Sequence, residues 1–158
     1  KGKLIKYPFE NDLHTLSRED NYDCLYSYLF NPYKKKYAKP KNMREWFLFH
    51  FGKGICERYL FPYNEKVWNT CKKIPKGRVS TYKEIAKVLN TKAYRAVGNA
   101  LNKNPYAPKV PCHRVIASNG NLHGFASGLK AKKKLLEKEG IKIKKNKVVD
   151  FERILFKF

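Results

Sequence analysis

The chain has 158 residues, a formal net charge of +22, 42% hydrophobic residues and 15% aromatic ones. That apolar fraction supports a core and excludes a disordered chain. The positive balance points to a polyanionic partner, because Lys and Arg beside phosphates release condensed counterions, although a lysine-rich or heat-adapted surface gives the same balance. The most apolar stretches, residues 46–51 and 148–158, are too short or too interrupted by charge to span a membrane. Residues 1–10 lack the apolar core of a signal peptide.

From Lys1 to about Phe61 the chain is rich in Tyr, Phe, Lys and Asn. Leu25, Leu29 and the aromatics from Tyr26 to Phe30 form a candidate apolar helix face, and Met43 to Tyr59 a helix or helix–strand unit broken at Gly52 and Gly54. Phe61-Pro62-Tyr63-Asn64 reads as a domain boundary, since a residue before proline is pushed out of the helical region. Beyond it, Val67, Trp68, Cys71 and Ile74 recur at helical spacing before Pro75 and Gly77.

Thr81, with Glu84 three residues on, predicts a capping box opening an amphipathic helix that carries Ile85, Ala86, Val88 and Leu89. After a short turn at Asn90 to Lys92, a second helix runs from about Ala93 to Lys103. Two short helices joined this way read as a helix-turn-helix. Ala93, Val97, Ala100 and Leu101 make the buried stripe of the second helix, and Arg95, Gly98, Asn99 and Asn102 share the opposite face. That face is short-chained apart from one arginine, which suits close approach to DNA, or helix–helix packing. Asn104-Pro105 ends the helix, with Pro108 and Pro111 predicting an extended segment. Lys130 to Lys138 reads as a basic helix with Leu135 and Leu136 inward and its lysines on a solvated face.

Cys24, Cys56, Cys71 and Cys112 are scattered without a CxxC, so neither a disulfide framework nor a zinc knuckle is suggested. Nor do Cys24, His14 and His50 form a recognisable metal set, and no metal or cofactor is expected. Free thiols without an export signal fit a cytosolic or nucleoid protein. Pro111-Cys112-His113-Arg114-Val115 carries the chemistry. A cysteine is nucleophilic as thiolate and needs a cation, a helix N-terminus or a base. His113 is such a base, and a carboxylate on its other nitrogen would fix its tautomer; Glu139 is a candidate.

From Val79 to Gly140 the chain closely resembles the C-terminal domain of O6-alkylguanine-DNA alkyltransferases. The matching blocks are Val79-Ser80-Thr81-Tyr82 with Ile85-Ala86, Arg95-Ala96-Val97-Gly98, Asn104-Pro105, Pro111 to Ile116, Ser118 to Gly120, Gly128-Leu129 and Lys133 to Gly140. The resemblance implies an α/β (α+β) fold: a small N-terminal α/β domain over 1–61, then a mainly helical domain over 62–158 with the helix-turn-helix and the active-site cysteine. It implies a monomer acting once on double-stranded DNA that contains alkylated guanine, with O4-alkylthymine left open.

Residue by residue, the resemblance makes Cys112 the alkyl acceptor, with His113, a water and Glu139 generating its thiolate. Arg95 is implied to fill the gap left by the flipped base, on a DNA-binding helix that presents Ala96, Gly98, Asn99 and Asn102 to the minor groove. Tyr82 presses on the 3′ phosphate and hydrogen-bonds the leaving guanine. Asn104 braces the segment between the recognition helix and the active site. The Val115 backbone, Phe125, Ser127 and Gly128 line the guanine pocket. Ala107, Phe125 and Ser127 depart from common family residues (proline, tyrosine and glycine), which bears on adduct size rather than on the nucleophile. A non-enzymatic alkyltransferase-like lesion-binding protein is the alternative; such relatives replace the acceptor cysteine, which this chain keeps.

Overall fold

The computed structural model describes residues 16–158, so the signal-peptide reading of residues 1–10 and the candidate ligand His14 fall outside it. Packing divides the chain into one compact unit ending at Glu65 and another spanning Lys66–Phe158. Among the described residues no helix is long and apolar enough to cross a membrane.

In the first unit the described residues are helical, and the strand of the expected α/β arrangement is not among them. Helix α1 (Arg18–Leu29) is capped by Ser17, whose hydroxyl accepts from the Asp20 N–H at 3.0 Å. Helix α2 (Tyr33–Lys36) is a single turn, and α3 (Met43–Ile55) starts at Asn42, which accepts from the Glu45 N–H at 2.9 Å. The break expected at Gly52 is a kink inside α3, with Gly52 at φ 72°. A Cβ on Gly52 would overlap the Ser27 carbonyl and one on Gly54 the Ser27 hydroxyl, so the two glycines let α1 and α3 pack backbone to backbone. Arg58 ties the same corner, donating to Asp20 at 2.6 Å and Asp23 at 2.7 Å. The apolar α1 face read from the sequence is solvent-facing: Leu25, Tyr26, Leu29 and Phe30 are exposed, and Cys24 is the buried residue of that helix.

The backbone does not leave the helical region at Phe61-Pro62, although the proline rule predicts that it should. A π-helical turn (Cys56–Leu60) leads directly into α4 (Phe61–Lys72), and Phe61 is helical at φ −70°, ψ −51°. Pro62 has no N–H to give the preceding turn, and the π-helical turn just before it is where the hydrogen-bond ladder changes register. The division at Glu65 therefore falls within a continuous helix.

In the second unit Val67, Trp68, Cys71 and Ile74 are all buried, as their spacing predicts. A two-residue strand β1 (Ser80–Thr81) runs parallel to β2 (Val115–Ile116), with Ser80 opposite Val115 and Thr81 opposite Ile116. This pairing fixes the start of the helix-turn-helix beside the end of the Cys-His-Arg segment. Helix α5 (Tyr82–Val88) follows, with the Thr81 hydroxyl accepting from the Glu84 N–H at 3.1 Å. The Glu84 carboxylate pairs with Lys87 at 2.6 Å, so half of the predicted capping box forms. Helix α6 (Tyr94–Asn102) completes the motif, and the Trp68 indole N–H donates to the Ala100 carbonyl at 2.9 Å, tying α4 to α6.

Residues 105–109 form turns instead of the predicted extended segment, closed by the Val110 N–H on the Tyr106 carbonyl at 2.9 Å. Helix α7 (Gly128–Lys138) and the hairpin β3 (Ile143–Lys144) and β4 (Lys147–Val148) follow, then the short α8 (Phe151–Ile154). Val79, Ile116, Leu122, Leu136, Ile141 and Val148 form one core cluster under β1 and β2. The fold class is α+β, with small sheets inside a mainly helical chain.

Candidate active site

Cys112 opens a 3-10 turn (Cys112–Arg114) directly after Pro111. The Cys112 N–H donates to the Val110 carbonyl and the Arg114 N–H to the Pro111 carbonyl, both at 2.9 Å, so the segment is bonded tightly to itself. Asn104 completes the brace. Its amide donates to the Val110 carbonyl at 3.0 Å and reaches the Cys112 Sγ at 3.4 Å, while its oxygen accepts from the Tyr106 N–H at 2.9 Å. The segment just past the end of α6 thus reaches the sulfur itself.

Of the four cysteines, Cys112 alone is not buried. Burial pushes the Cys56 and Cys71 thiols up to about 12 and raises that of Cys24, which leaves these three as unreactive thiols. The Cys112 sulfur faces a cavity of about 650 Å³, within the roughly 300–1,000 Å³ of small-molecule sites. Tyr82, Arg95, Gly98, Asn99 and Asn102 wall it on the helix-turn-helix side, and His123, Gly124 and Phe125 close the other side. The polar face of α6 and the thiol therefore share one space.

Behind the cysteine, buried His113 places Nε2 2.9 Å from Glu139 Oε1. The same carboxylate accepts from Arg114 Nε at 2.9 Å and Nη2 at 2.7 Å, and from the Gly77 N–H at 3.3 Å. Burial alone would raise the Glu139 pKa, but the bonds from Arg114, His113 and Gly77 outweigh it and hold the carboxyl down at about 2. An ionised carboxylate accepts from the imidazole N–H on Nε2, which leaves Nδ1 as the basic nitrogen. No hydrogen bond links His113 directly to the Cys112 sulfur among the described residues.

Tyr82 donates its hydroxyl to the His123 carbonyl at 3.3 Å. Burial, then the neighbouring Cys112 and Cys71, push its phenol up to about 12, so it is a donor at neutral pH. The Tyr82 ring packs over Gly98, where a Cβ would meet ring carbons at 3.8 and 3.9 Å, an ordinary contact distance.

The remaining candidates separate. Arg95, Asn99 and Asn102 are exposed on α6 and Gly98 is half-buried, whereas Ala96 is 6% exposed and lies in the buried stripe with Val97, Ala100 and Leu101. Ala96 follows Arg95 by one residue, about 100° round the helix, and so leaves the polar face. Phe125 lines the cavity; Val115, Ser127 and Gly128 do not. Val115 is wholly buried in β2, and Ser127 with Gly128 forms the exposed start of α7. Sequence reasoning missed Lys132, counted among solvated lysines but fully buried, and the role of Arg114 on Glu139. Lys132 stands four residues before buried Leu136, so helical periodicity marks it as inward-facing.

Residues 62–141 match the family model described as 6-O-methylguanine DNA methyltransferase, DNA binding domain. A methylated-DNA–protein-cysteine methyltransferase of Methanosarcina acetivorans is 57% identical over 79 residues, covering 49% of this chain and 51% of that protein. The protein of the same name from Saccharolobus solfataricus is 52% identical over 106 residues, covering 67% of this chain and 63% of that protein. The chain thus spans about half to under two thirds of the length of these curated relatives. Among solved structures, S. pombe Atl1, in complex with damaged DNA containing O6-carboxymethylguanine, is similar with a TM-score of 0.56 at 30% identity, over 62% of this chain and 97% of that one. The chain belongs to the 6-O-methylguanine DNA methyltransferase family, through the DNA-binding domain it carries at residues 62–141.

Proposed function

We propose that the protein repairs DNA by irreversible, single-turnover transfer of the alkyl group of O6-alkylguanine to Cys112. The observation that carries this reading is the single cavity shared by the Cys112 thiol and the polar face of α6. A groove-binding helix and a nucleophile opening on one space suit a base that leaves the duplex to react. The excess of Lys and Arg over Asp and Glu, 35 against 13, supports a polyanionic partner. The relatives' names supply the acceptor type, a protein cysteine.

In this reading His113, oriented by Glu139, takes the thiol proton through a bridging water. The thiolate attacks the alkyl carbon on O6; the C–S bond forms as the C–O bond breaks, and the electron pair leaves with guanine. Tyr82, a neutral phenol in the cavity wall, hydrogen-bonds the guanine anion and stabilises it as it forms. The thioether has no leaving group that returns the thiol, so each molecule acts once. Asn104 holds the sulfur in register with α6, and Arg95 occupies the place the base vacates. Phe125 forms the pocket wall beside the reacting base. The protein acts as a monomer in the compartment that holds the DNA.

Intact-mass analysis after incubation with free O6-benzylguanine tests the reading. A single benzyl adduct mapped to Cys112 is expected. An unmodified protein that still binds alkylated duplex would instead establish the lesion-binding alternative.

A further inference from the structure

Lys132 is 0% exposed and sits on α7 four residues before buried Leu136. A buried ammonium is costly unless its donors are satisfied, and Lys132 forms no ion pair with a carboxylate among the described residues. Its Nζ donates to three main-chain oxygens: Val115 at 2.6 Å, His123 at 2.6 Å and Gly124 at 3.3 Å. Val115 follows the Cys112–Arg114 turn, while His123 and Gly124 belong to the loop that walls the cavity. As core filler a leucine or methionine would serve better. What a lysine adds is three strong donors that join two backbone segments at one point. Burial draws its pKa down to about 8, with Cys112 and Cys71 pulling the other way, so it is largely protonated at neutral pH and all three donors are in place.

The His123 carbonyl has a second donor, the Tyr82 hydroxyl, at the longer distance of 3.3 Å. The Tyr82 ring also lies beside the ammonium, 5.9 Å from Nζ to centroid. If Tyr82 turns its hydroxyl to a base in the cavity, the loop loses one of its two holds and Lys132 keeps the other.

We propose that Lys132 is a positioning residue that pins the His123–Gly124 loop to the backbone after Cys112, so that the pocket keeps its shape when Tyr82 engages the substrate. The proposal rests on the alkyl-transfer reading and deepens it. Lys132 touches neither the sulfur nor the substrate; it acts through the loop.

Lys132→Met in the full chain tests this with two reagents at Cys112, free O6-benzylguanine, which needs the pocket, and iodoacetamide, which needs only an accessible thiolate. Losing a charged donor to buried carbonyls should slow the benzylguanine reaction by about tenfold or more, through weaker saturable binding. Iodoacetamide alkylation should fall by a clearly smaller factor, because it needs an accessible thiolate and no pocket. Lys132→Arg, which keeps charge and donors, should recover part of the loss, and it carries the same comparison if the methionine variant does not fold. Equal loss on both reagents, no loss on benzylguanine, or failure of both variants to fold would overturn the proposal, the last by making Lys132 a requirement of the core. A wild-type protein inert to benzylguanine but alkylated by iodoacetamide would sink the alkyl-transfer reading instead.

Discussion

His113 Nε2 and Glu139 Oε1 lie 2.9 Å apart, and that carboxylate also takes two hydrogen bonds from Arg114, the residue next to His113. Consecutive side chains thus converge on one acceptor across a separation of 26 residues. The Arg114 guanidinium keeps Glu139 ionised and fixed in orientation, and the fixed carboxylate sets the imidazole tautomer. Arg114 also donates to the Ile74 carbonyl at 2.7 Å, which ties the network to the end of α4.

Glu139→Gln should therefore slow benzyl transfer by about tenfold or more while leaving duplex binding unchanged. It should also cost stability in a pH-dependent way. The folded carboxyl sits near 2 against an ordinary 4.5, so the unfolded chain binds the extra proton between those values. The stabilisation is complete above about pH 5 and is lost as pH falls toward 2, an advantage on the order of 3 kcal/mol at neutral pH. Urea denaturation of wild type and variant at pH 7 and pH 3 checks this: the gap between them should narrow at pH 3. A gap independent of pH would mean that Glu139 contributes packing rather than charge.

Cys112→Ser should abolish transfer and retain DNA binding, because a serine hydroxyl is far less acidic than a thiol and His113 cannot generate its anion. The cavity-lining residues of α6 are untouched by the change. Mass spectrometry and a gel-shift titration read the two properties separately, and residual transfer near the wild-type rate would remove Cys112 from its role.

Much of this was legible in the sequence where one local rule decides the outcome. The capping Thr81 and the buried Val97, Ala100 and Leu101 of α6 appear where their spacing puts them, while Ala93 is the half-buried N-cap residue. Readings went astray where long-range packing overrode a local rule. Pro62 does not break the chain, because the preceding π turn runs straight into α4. The apolar residues of α1 are exposed because α3 packs against the side that carries Cys24 and Ser27. Lys132 reads as part of a solvated lysine run, and the carbonyls of β2 and of the His123 loop are what make its burial tolerable.

Asn104→Ala should weaken both stability and reactivity. It strips a donor from the Val110 carbonyl and an acceptor from the Tyr106 N–H, a loss of about 1–3 kcal/mol. It also removes the amide that reaches the Cys112 sulfur at 3.4 Å, so iodoacetamide should alkylate Cys112 more slowly. Thermal melting and alkylation rates read the two effects. An unchanged alkylation rate in a destabilised variant would confine Asn104 to bracing the backbone.

Arg95 distinguishes α6 from a scaffold helix. It is exposed and lines the cavity, and it has no hydrogen-bonding or ionic partner among the described residues. Its companions on that face, Gly98, Asn99 and Asn102, are short, so one long cationic side chain stands beyond them. Such a side chain can stack in the space a flipped guanine leaves and replace part of the lost base contacts. Arg95→Ala should then lower repair of an alkylated duplex much more than reaction with free O6-benzylguanine, which needs no flipping. Unstacking costs a few kcal/mol, so losing the group that offsets even part of it should slow the duplex reaction by about tenfold or more. Arg95→Lys should restore only part of the rate, since ammonium keeps the charge without the planar surface. The decisive quantity is the ratio of the two rates in each variant. An equal fall on both substrates would make Arg95 a pocket or structural residue, and the gap-filling role would be wrong.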